Sequence, residues 1–343
     1  MNELLKQLTE AVGVSGEEKE VRKLILDLIS DHVDSSHIDA MGNLIATKNG
    51  TGEMDWTVMV DAHMDEVGLM ITEVDSNGAF QFVGVGGFND RALLGKVVQV
   101  GSKKLTGVIG ARPIHLLDRS QRDSVVKMKD MRVDIGAASK EAASKKLKPG
   151  DRAAFLTEYQ ELGDMAIGKA FDDRAGCAAL IELLRRDPYP FNLVAAFTVQ
   201  EEVGLRGARV AGYAVKPNVA LVLESTPAYD LPNERDVSPN VVLGNGPSIY
   251  VMDSVTIQDP RLVSHITRTA AANNIPFQIR RPGGGGTNTG VIQRAGPGVP
   301  AATIATPARY IHAPVSMINL NDFDNVVKLA EATLRGLSPD IFA

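Results

Sequence analysis

The sequence predicts an α/β fold, in which a mixed, largely parallel sheet carries helices on both faces and is interrupted by a small barrel-like β domain. Apolar runs typical of buried strands alternate with long amphipathic helical patterns near both ends of the chain. The middle of the chain instead holds short β-branched segments that are closely punctuated by glycine. With 343 residues, 44% of them hydrophobic, the chain can bury a large core.

The first part of the chain alternates helix and strand. In the segment SGEEKEVRKLILDLI, Ser15 and Glu18 have the spacing of a capping box at the start of a helix. The apolar residues that follow recur at helical spacing and predict one buried face. The run WTVMVDAHMD is almost continuously apolar, as expected of a strand that is covered on both faces.

The pattern of apolar residues and glycines along the sequence changes at about residue 71 and changes back at about residue 162. Between them, AFQFVGVGG, KVVQVGS and LTGVIGARP predict a compact β-rich domain. Beyond them, helical patterns (RAGCAALIELLRR, RLVSHITRTAAANN, NVVKLAEATLRGL) alternate with strand patterns (FNLVAAFTV, NVALVLE, VPAATIAT). We therefore expect residues 1–70 and 163–343 to form one α/β domain, with residues 71–162 inserted into it.

Composition argues against several classes of function. The formal net charge is −6, and the one local basic cluster, KEAASKKLK, is typical of a solvated helix face, so no nucleic-acid partner is expected. Cys177 is the single cysteine, which excludes an internal disulfide and a thiolate metal cluster, and its apolar helical surroundings predict a buried structural thiol. The N-terminus lacks the apolar core of a signal peptide, and no run approaches a membrane span. We expect a cytoplasmic protein without a membrane partner.

Polar side chains follow the apolar runs at five places in the chain. In open α/β sheets, functional sites lie beyond the carboxyl ends of the strands, so these residues are expected to gather at one edge. Two histidines and several carboxylates, without a cysteine, form a ligand set that suits Zn²⁺, Co²⁺ or Mn²⁺. The residues are His63, Asp65, Asp172, Asp173, Glu201, Glu202, Glu224 and His312.

The spacing within these motifs has a chemical logic. His63 and Asp65 share a face of an extended segment, so Asp65 could accept a hydrogen bond from the imidazole nitrogen that is not on a metal. The adjacent Glu201 and Glu202 project differently, so one could bind a metal ion while the other handles protons. A carboxylate from the FDD segment is the natural candidate to bridge two cations.

Each motif alone also has a purely structural explanation. A histidine after a strand is usually a hydrogen-bonded structural residue, and Asp172 with Asp173 could form the acidic first turn of a helix. Glu201 and Glu202 could form ion pairs with arginines nearby in the sequence, and Glu224 could be a turn residue. The coincidence of all five motifs at one predicted sheet edge favours a metal site. Four other histidines lack this context and are expected to be structural: His32, His37, His115 and His265.

Taken in order, DAHMDEVG, FDDRAG, VQEEVGLRGA and RYIHAP resemble the motifs of the TET-type metallo-aminopeptidases. This family includes glutamyl, leucyl and lysyl aminopeptidases and some proteins labelled endoglucanases. The likeness covers nearly the whole chain, including the SGEE segment and the position of the β-rich insert. It implies a phosphorylase/hydrolase-like catalytic domain, two metal ions per subunit, short peptides as substrates and assembly into a tetrahedral dodecamer.

The resemblance also implies roles for the matched residues. His63 would bind one metal ion, Asp172 would bridge both ions, and Glu202 would complete one shell. His312 would bind the other ion together with Glu224. In the same way Glu201 is implied as the general base that takes a proton from water, Asp65 as the group that orients the first histidine, and the peptide between the two aspartates of FDD as an unusual, cis bond.

Two positions depart from the family pattern and keep other functions open. Glu224 stands where the family often has aspartate, which leaves a related metal-dependent deacylase or carboxypeptidase as the nearer alternative. Asn288 stands where the family usually reads GTD, so a charge expected near the site is neutral. A glycoside hydrolase would need two carboxylates across a sugar and no histidine ligands, so the histidines argue against it. A non-catalytic assembly protein is disfavoured because every presumed ligand position holds a residue able to ligate.

Overall fold

The computed structural model describes residues 1–231 and 240–343. The strands are, in chain order, β1 (Ser35–Ile38), β2 (Leu44–Lys48), β3 (Thr57–His63), β4 (Gly68–Val74), β5 (Phe80–Val85), β6 (Val97–Val100), β7 (Leu105–Gly110), β8 (Arg132–Asp134), β9 (Arg152–Phe155), β10 (Gln160–Leu162), β11 (Met165–Gly168), β12 (Asn192–Thr198), β13 (Val219–Pro227), β14 (Ser248–Tyr250), β15 (Gln278–Arg280), β16 (Ala301–Arg309) and β17 (Ser316–Asn319).

The α-helices vary widely in length. They are α1 (Asn2–Glu10), α2 (Lys19–Ile29), α3 (Arg119–Arg122), α4 (Lys140–Ser144), α5 (Phe171–Leu184), α6 (Arg206–Val215), α7 (Pro260–Ala272), α8 (Thr289–Ile292) and α9 (Leu320–Arg335). Within the described ranges, we find no helix with the length and apolar character needed to traverse a bilayer.

The larger sheet is mixed, with its parallel strands at the centre. Its order is β1-β2-β12-β3-β13-β16-β17-β11-β10, and β14 joins β16 and carries β15. The four central strands β12, β3, β13 and β16 run parallel to one another, and antiparallel strands flank them at both edges. The mixed sheet predicted from the alternating pattern is confirmed.

Helices cover both faces of this sheet, as predicted. Along β3 the side chains alternate: Val58, Val60 and Ala62 pack into a cluster with apolar residues of α1, α2, α5, α7 and α9. Met59 faces the opposite side and packs with residues of α6 and α8. Because both faces are covered, the central strands must be apolar throughout, which is why WTVMV shows no polar alternation.

The inserted β module is a closed antiparallel barrel with its own core. Its six strands follow the order β4-β5-β8-β7-β6-β9 around the barrel. The barrel predicted from the short glycine-punctuated segments is confirmed. Its strands run from Gly68 to Phe155, and the domain limits at residues 71 and 162 stay a prediction. The barrel core includes Leu69, Ile71, Phe80, Phe82, Val98, Val100, Ile109 and Val133.

The predicted capping box at Ser15 and Glu18 is wrong. Helix α2 begins at Lys19, and the side chain of Glu18 makes no capping hydrogen bond. The Ser15 hydroxyl instead donates to Asp65 Oδ2 at 2.6 Å. Glu18 accepts the backbone N–H of Gln200 at 3.3 Å. Both side chains therefore reach the loops that follow β3 and β12, and Glu18 also accepts the backbone N–H of Gly16 at 2.6 Å.

A buried ionic network joins the N-terminal segment to the start of α5. The Glu66 carboxylate accepts hydrogen bonds from Lys169 Nζ at 2.7 Å and from Arg174 Nη2 at 3.3 Å. All three side chains are almost fully buried. Arg174 also donates to the carbonyl oxygens of Met64 at 2.8 Å and Ala11 at 2.9 Å. This network anchors the N-terminus of α5, where two aspartates predicted in the site lie.

We predict that Glu66→Gln lowers the free energy of unfolding by roughly 3–5 kcal/mol, because two buried cations lose their counter-charge. Urea unfolding at constant ionic strength measures this change. The control is Glu141→Gln, which removes an exposed pair with Lys145 and is expected to cost less than about 1 kcal/mol. Equal losses in the two variants would contradict the role of the network.

Candidate metal centre

The predicted site residues meet at the carboxyl edge of the central parallel strands. β3 ends at His63, which lies in register with Thr198, the last residue of β12. Glu224 of β13 is in register with Ala305 of β16, beyond which the chain leads to His312. The loop after β12 and the start of α5 close the same edge. The residues brought together are His63, Asp65, Asp172, Asp173, Glu201, Glu202, Glu224 and His312.

Asp172 lies between the two histidines, with one oxygen facing each. Its Oδ1 is 3.2 Å from His63 Nε2, and its Oδ2 is 3.3 Å from His312 Nε2. His63 Nε2 also lies 3.4 Å from Glu224 Oε1, and His312 Nε2 lies 3.3 Å from Glu202 Oε2. The geometry therefore defines two ligand groups that share one carboxylate.

This arrangement differs from the pairing implied by the resemblance, in which His312 accompanies Glu224. The structure places His312 with Glu202, and His63 with Glu224. The reason is the strand order, because β13 lies directly beside β3 and its Glu224 is held within the sheet next to His63. Glu202 and His312 lie in loops beyond β12 and β16, where they approach each other.

The spacing of these atoms fits divalent metal ions. In a tetrahedral site with ligand bonds of about 2.0–2.1 Å, neighbouring ligand atoms lie about 3.3 Å apart, as the imidazole and carboxylate atoms do here. Glu202 Oε1 and Glu224 Oε2 are buried without a hydrogen-bond partner among the described residues, a costly state that a cation would relieve. Within residues 1–231 and 240–343, these carboxylates form no ion pair with lysine or arginine.

The structural alternative for the two adjacent glutamates, ion pairs with Arg206 and Arg209, is not found in the described part of the chain. Arg206 instead donates to the side-chain oxygen of Gln200 at 3.5 Å. Cys177, expected to be a structural thiol, is buried and donates to the carbonyl oxygen of His63 at 3.1 Å. His265, expected to be structural, bonds the carbonyl oxygen of Thr333 at 2.9 Å, away from the site.

Asp65 organises the site more broadly than the sequence predicts. Its carboxylate accepts the backbone N–H of Glu201 at 2.9 Å and of Glu202 at 3.2 Å, in addition to the Ser15 hydroxyl. It also lies 3.4 Å from His63 Nδ1, although the carbonyl oxygen of Asp65 is closer, at 3.1 Å. Asp65 thus links the orientation of the histidine to the position of both glutamates.

Asp173 supports the site through the backbone. It follows a cis peptide bond from Asp172, as the resemblance implies. Its Oδ2 accepts the backbone N–H of His63 at 3.3 Å, and its Oδ1 accepts the backbone N–H of Gly176 at 3.0 Å. Both oxygens of Asp173 are therefore engaged, whereas those of Asp172 face the histidines. Of the two aspartates, Asp172 has the geometry of a bridging ligand.

Burial dominates the electrostatics of the cluster. It raises the pKa of Glu201 and Glu202 well above their usual range and the pKa of Glu224 to about 7. Burial alone would raise the pKa of Asp172 as well, but hydrogen bonds from His312 and His63 hold it below its usual range. In the absence of a cation the buried carboxyl groups therefore favour protonation, and a divalent ion would compete with those protons.

Asn288 lies beneath the site, in contact with β3 and β12. Its amide donates to Asp61 Oδ2 at 2.8 Å and to Thr198 Oγ1 at 3.0 Å. Asn288 and Asp61 are both almost fully buried. An aspartate at this position would bring two buried carboxylates into contact, so the neutral amide fits its surroundings. The sequence motif singles out Asn288 but carries no signal that its partner is Asp61.

The chain is similar to known peptidases along most of its length. The family model described as M42 glutamyl aminopeptidase matches residues 42–329. The chain belongs to the M42 peptidase family. Lysyl aminopeptidase of Pyrococcus furiosus is 33% identical to it over 98% of this chain and 97% of its own length.

Two solved structures of TET peptidases extend the comparison to the whole fold. The TET aminopeptidase of Thaumarchaeota archaeon SCGC AB-539-E09 superposes with a TM-score of 0.95, at 33% identity, over 99% of this chain and 97% of that one. The TET1 peptidase of Pyrococcus horikoshii superposes with a TM-score of 0.86, at 36% identity, over 98% and 99% of the two chains. The present chain, as a member of the M42 family, is a metal-dependent aminopeptidase.

We predict that Asp65→Asn lowers the affinity for Zn²⁺ by about 10- to 100-fold, as expected when a group that orients ligands is lost. The amide offers one acceptor oxygen where the carboxylate offers two, so one backbone N–H of the glutamate pair loses its partner. Competition with a chromophoric chelator measures the affinity. The control Ser15→Ala removes one donor and keeps the carboxylate, so its effect is expected to be smaller. An equal effect in both variants would contradict this role of Asp65.

Proposed function

We propose that this aminopeptidase holds two divalent ions at the sheet edge and removes single N-terminal residues from short peptides. One ion would be bound by His63, Asp172 and Glu224, and the other by Asp172, Glu202 and His312. The observation that carries the proposal is Asp172, which presents one oxygen to each histidine at 3.2 and 3.3 Å. The donor set of nitrogen and oxygen suits Zn²⁺ or Co²⁺, with Mn²⁺ as a further candidate.

The protein side of the reaction rests on Glu201. The bound ions would polarise the scissile carbonyl and lower the pKa of a water molecule to about 7. Glu201 lines the same cavity as the ligands, and the hydrogen bond from its N–H to Asp65 fixes its backbone. Burial raises the pKa of its carboxyl group, which makes the Glu201 carboxylate a stronger base. Such a base can accept a proton from water and pass it to the leaving amine.

The substrate cavity favours short peptides. It has a volume of about 780 Å³ and is lined by Glu201, Glu202, Glu224 and His312 together with residues of the loop that contains GGGG. A cavity of this size is within the usual range for a small ligand and accommodates a peptide of a few residues. Glu224 remains suitable as a ligand because its additional methylene group still places Oε1 3.4 Å from His63.

We further propose that the enzyme assembles as a dodecamer in the cytoplasm. The TET1 peptidase of P. horikoshii is described as assembling into a tetrahedron or a large octahedral shell, which supports a large assembly here. Light scattering after size-exclusion chromatography tests the oligomeric state. A mass of twelve chains is expected, and a monomer would contradict this proposal without affecting the chemistry.

We predict that peptides with a free N-terminus lose single residues, whereas the same peptides with an acetylated N-terminus are not cleaved. Mass spectrometry with and without chelator measures both reactions. Chelation should abolish cleavage, and Zn²⁺ or Co²⁺ should restore it. Cleavage of the acetylated peptides would contradict the aminopeptidase mechanism and favour a deacylase or carboxypeptidase.

We predict that Glu201→Gln lowers kcat by about 100- to 10,000-fold while two metal ions stay bound, because the amide cannot accept the proton. Steady-state kinetics and metal analysis of the same preparation measure the two quantities. The matched variant Glu202→Gln should instead lower metal content. Near-normal turnover in Glu201→Gln would remove Glu201 from the mechanism.

A further inference from the structure

The charged residues that line the substrate cavity divide into two groups. The acidic ones are the proposed ligands and Glu201 at the metal centre. Beyond that centre, the charged lining residues among those described are all arginines: Arg209, Arg280 and Arg294. The part of the cavity that is free for substrate is therefore positively charged.

Arg280 differs from the other two because it is buried. Arg280 is only 5% exposed, whereas Arg209 and Arg294 are exposed. Its Nη2 donates to the carbonyl oxygen of Gly284 at 2.8 Å, but Nε and Nη1 have no hydrogen-bond partner within residues 1–231 and 240–343. A buried guanidinium with unpaired donors is costly, so this position favours an anionic ligand.

The surroundings hold the guanidinium in place. Arg280 ends β15 and lies in register with Tyr250 of β14, and its guanidinium carbon is 4.4 Å from the centre of the Tyr250 ring. In the loop that follows, Gly286 packs closely against Val255, since a Cβ atom on Gly286 would lie 2.7 Å from a methyl group of Val255. Arg280 is thus presented to the cavity by two paired strands, next to the point where Gly286 packs on Val255.

We infer that Arg280 is a specificity-determining residue that binds a carboxylate of the peptide substrate. The inference rests on the proposed function, since that function makes a peptide the occupant of this cavity. A short peptide has two sources of carboxylate, namely an acidic N-terminal side chain and the C-terminal carboxylate. Both would receive charge-assisted hydrogen bonds from Nε and Nη1 of Arg280.

Three tripeptides separate these sources. Leu-Ala-Ala-amide carries no carboxylate, Glu-Ala-Ala-amide carries only the side-chain carboxylate, and Leu-Ala-Ala carries only the C-terminal one. The wild-type enzyme is expected to have a higher kcat/KM for at least one carboxylate peptide than for the neutral peptide. In Arg280→Met this preference should fall by about 10- to 100-fold, as expected for loss of hydrogen bonds to a charged group.

Arg281→Gln is the matched control, because Arg281 is the next residue, is exposed and does not line the cavity. It should keep the wild-type preference. Arg280→Lys keeps the charge without the guanidinium donors and should retain part of the preference. If Arg280→Met does not fold, Arg280→Lys decides: a reduced preference supports the inference, and an unchanged preference overturns it.

The result that overturns the inference is equal cleavage of all three peptides by the wild-type enzyme, or a preference that survives in folded Arg280→Met. The peptide whose advantage is lost in the variant identifies the carboxylate that Arg280 binds. Cleavage of none of the peptides would overturn the proposed function and this inference with it. The two failures are therefore distinguishable.

Discussion

Repulsion among buried carboxylates is the constraint on which the site depends. Asp172, Glu201, Glu202 and Glu224 are gathered at one sheet edge, and within residues 1–231 and 240–343 their ion pairs are with two histidines. Burial raises the pKa of the three glutamates, so the cluster favours either protons or cations. The fold sustains this cost because hydrogen bonds to Asp65 and the buried network at the start of α5 hold the backbone that carries these residues.

Much of this arrangement could be predicted from the sequence because it follows from two simple rules. Strands buried on both faces are apolar throughout, and the ends of parallel strands meet at one edge, so the polar residues after WTVMV and FNLVAAFTV converge. The closed barrel followed from the short segments rich in glycine. The gathering of residues around His63 is thus a consequence of strand direction, which local patterns already contain.

The features that could not be predicted all depend on contacts between distant segments. The pairing of His312 with Glu202 follows from strand order, which periodicity does not reveal. Ser15 has the spacing of a helix cap, yet its hydroxyl donates to Asp65, 50 residues along the chain. Nε and Nη1 of Arg280 have no partner among the described residues, and this too becomes visible only when the cavity is assembled. Local signals compete with tertiary contacts at such positions, and in the functional site the tertiary contacts prevail.

The central claim is that Asp172 joins two metal positions, and the number of ions bound per chain tests it most directly. Native mass spectrometry of the enzyme loaded with Zn²⁺ and then freed of excess metal gives this number. The account predicts two ions per chain in the wild-type enzyme and fewer in Asp172→Ala, because each position loses a ligand. A single ion in the wild-type enzyme, or two ions retained in Asp172→Ala, would contradict it.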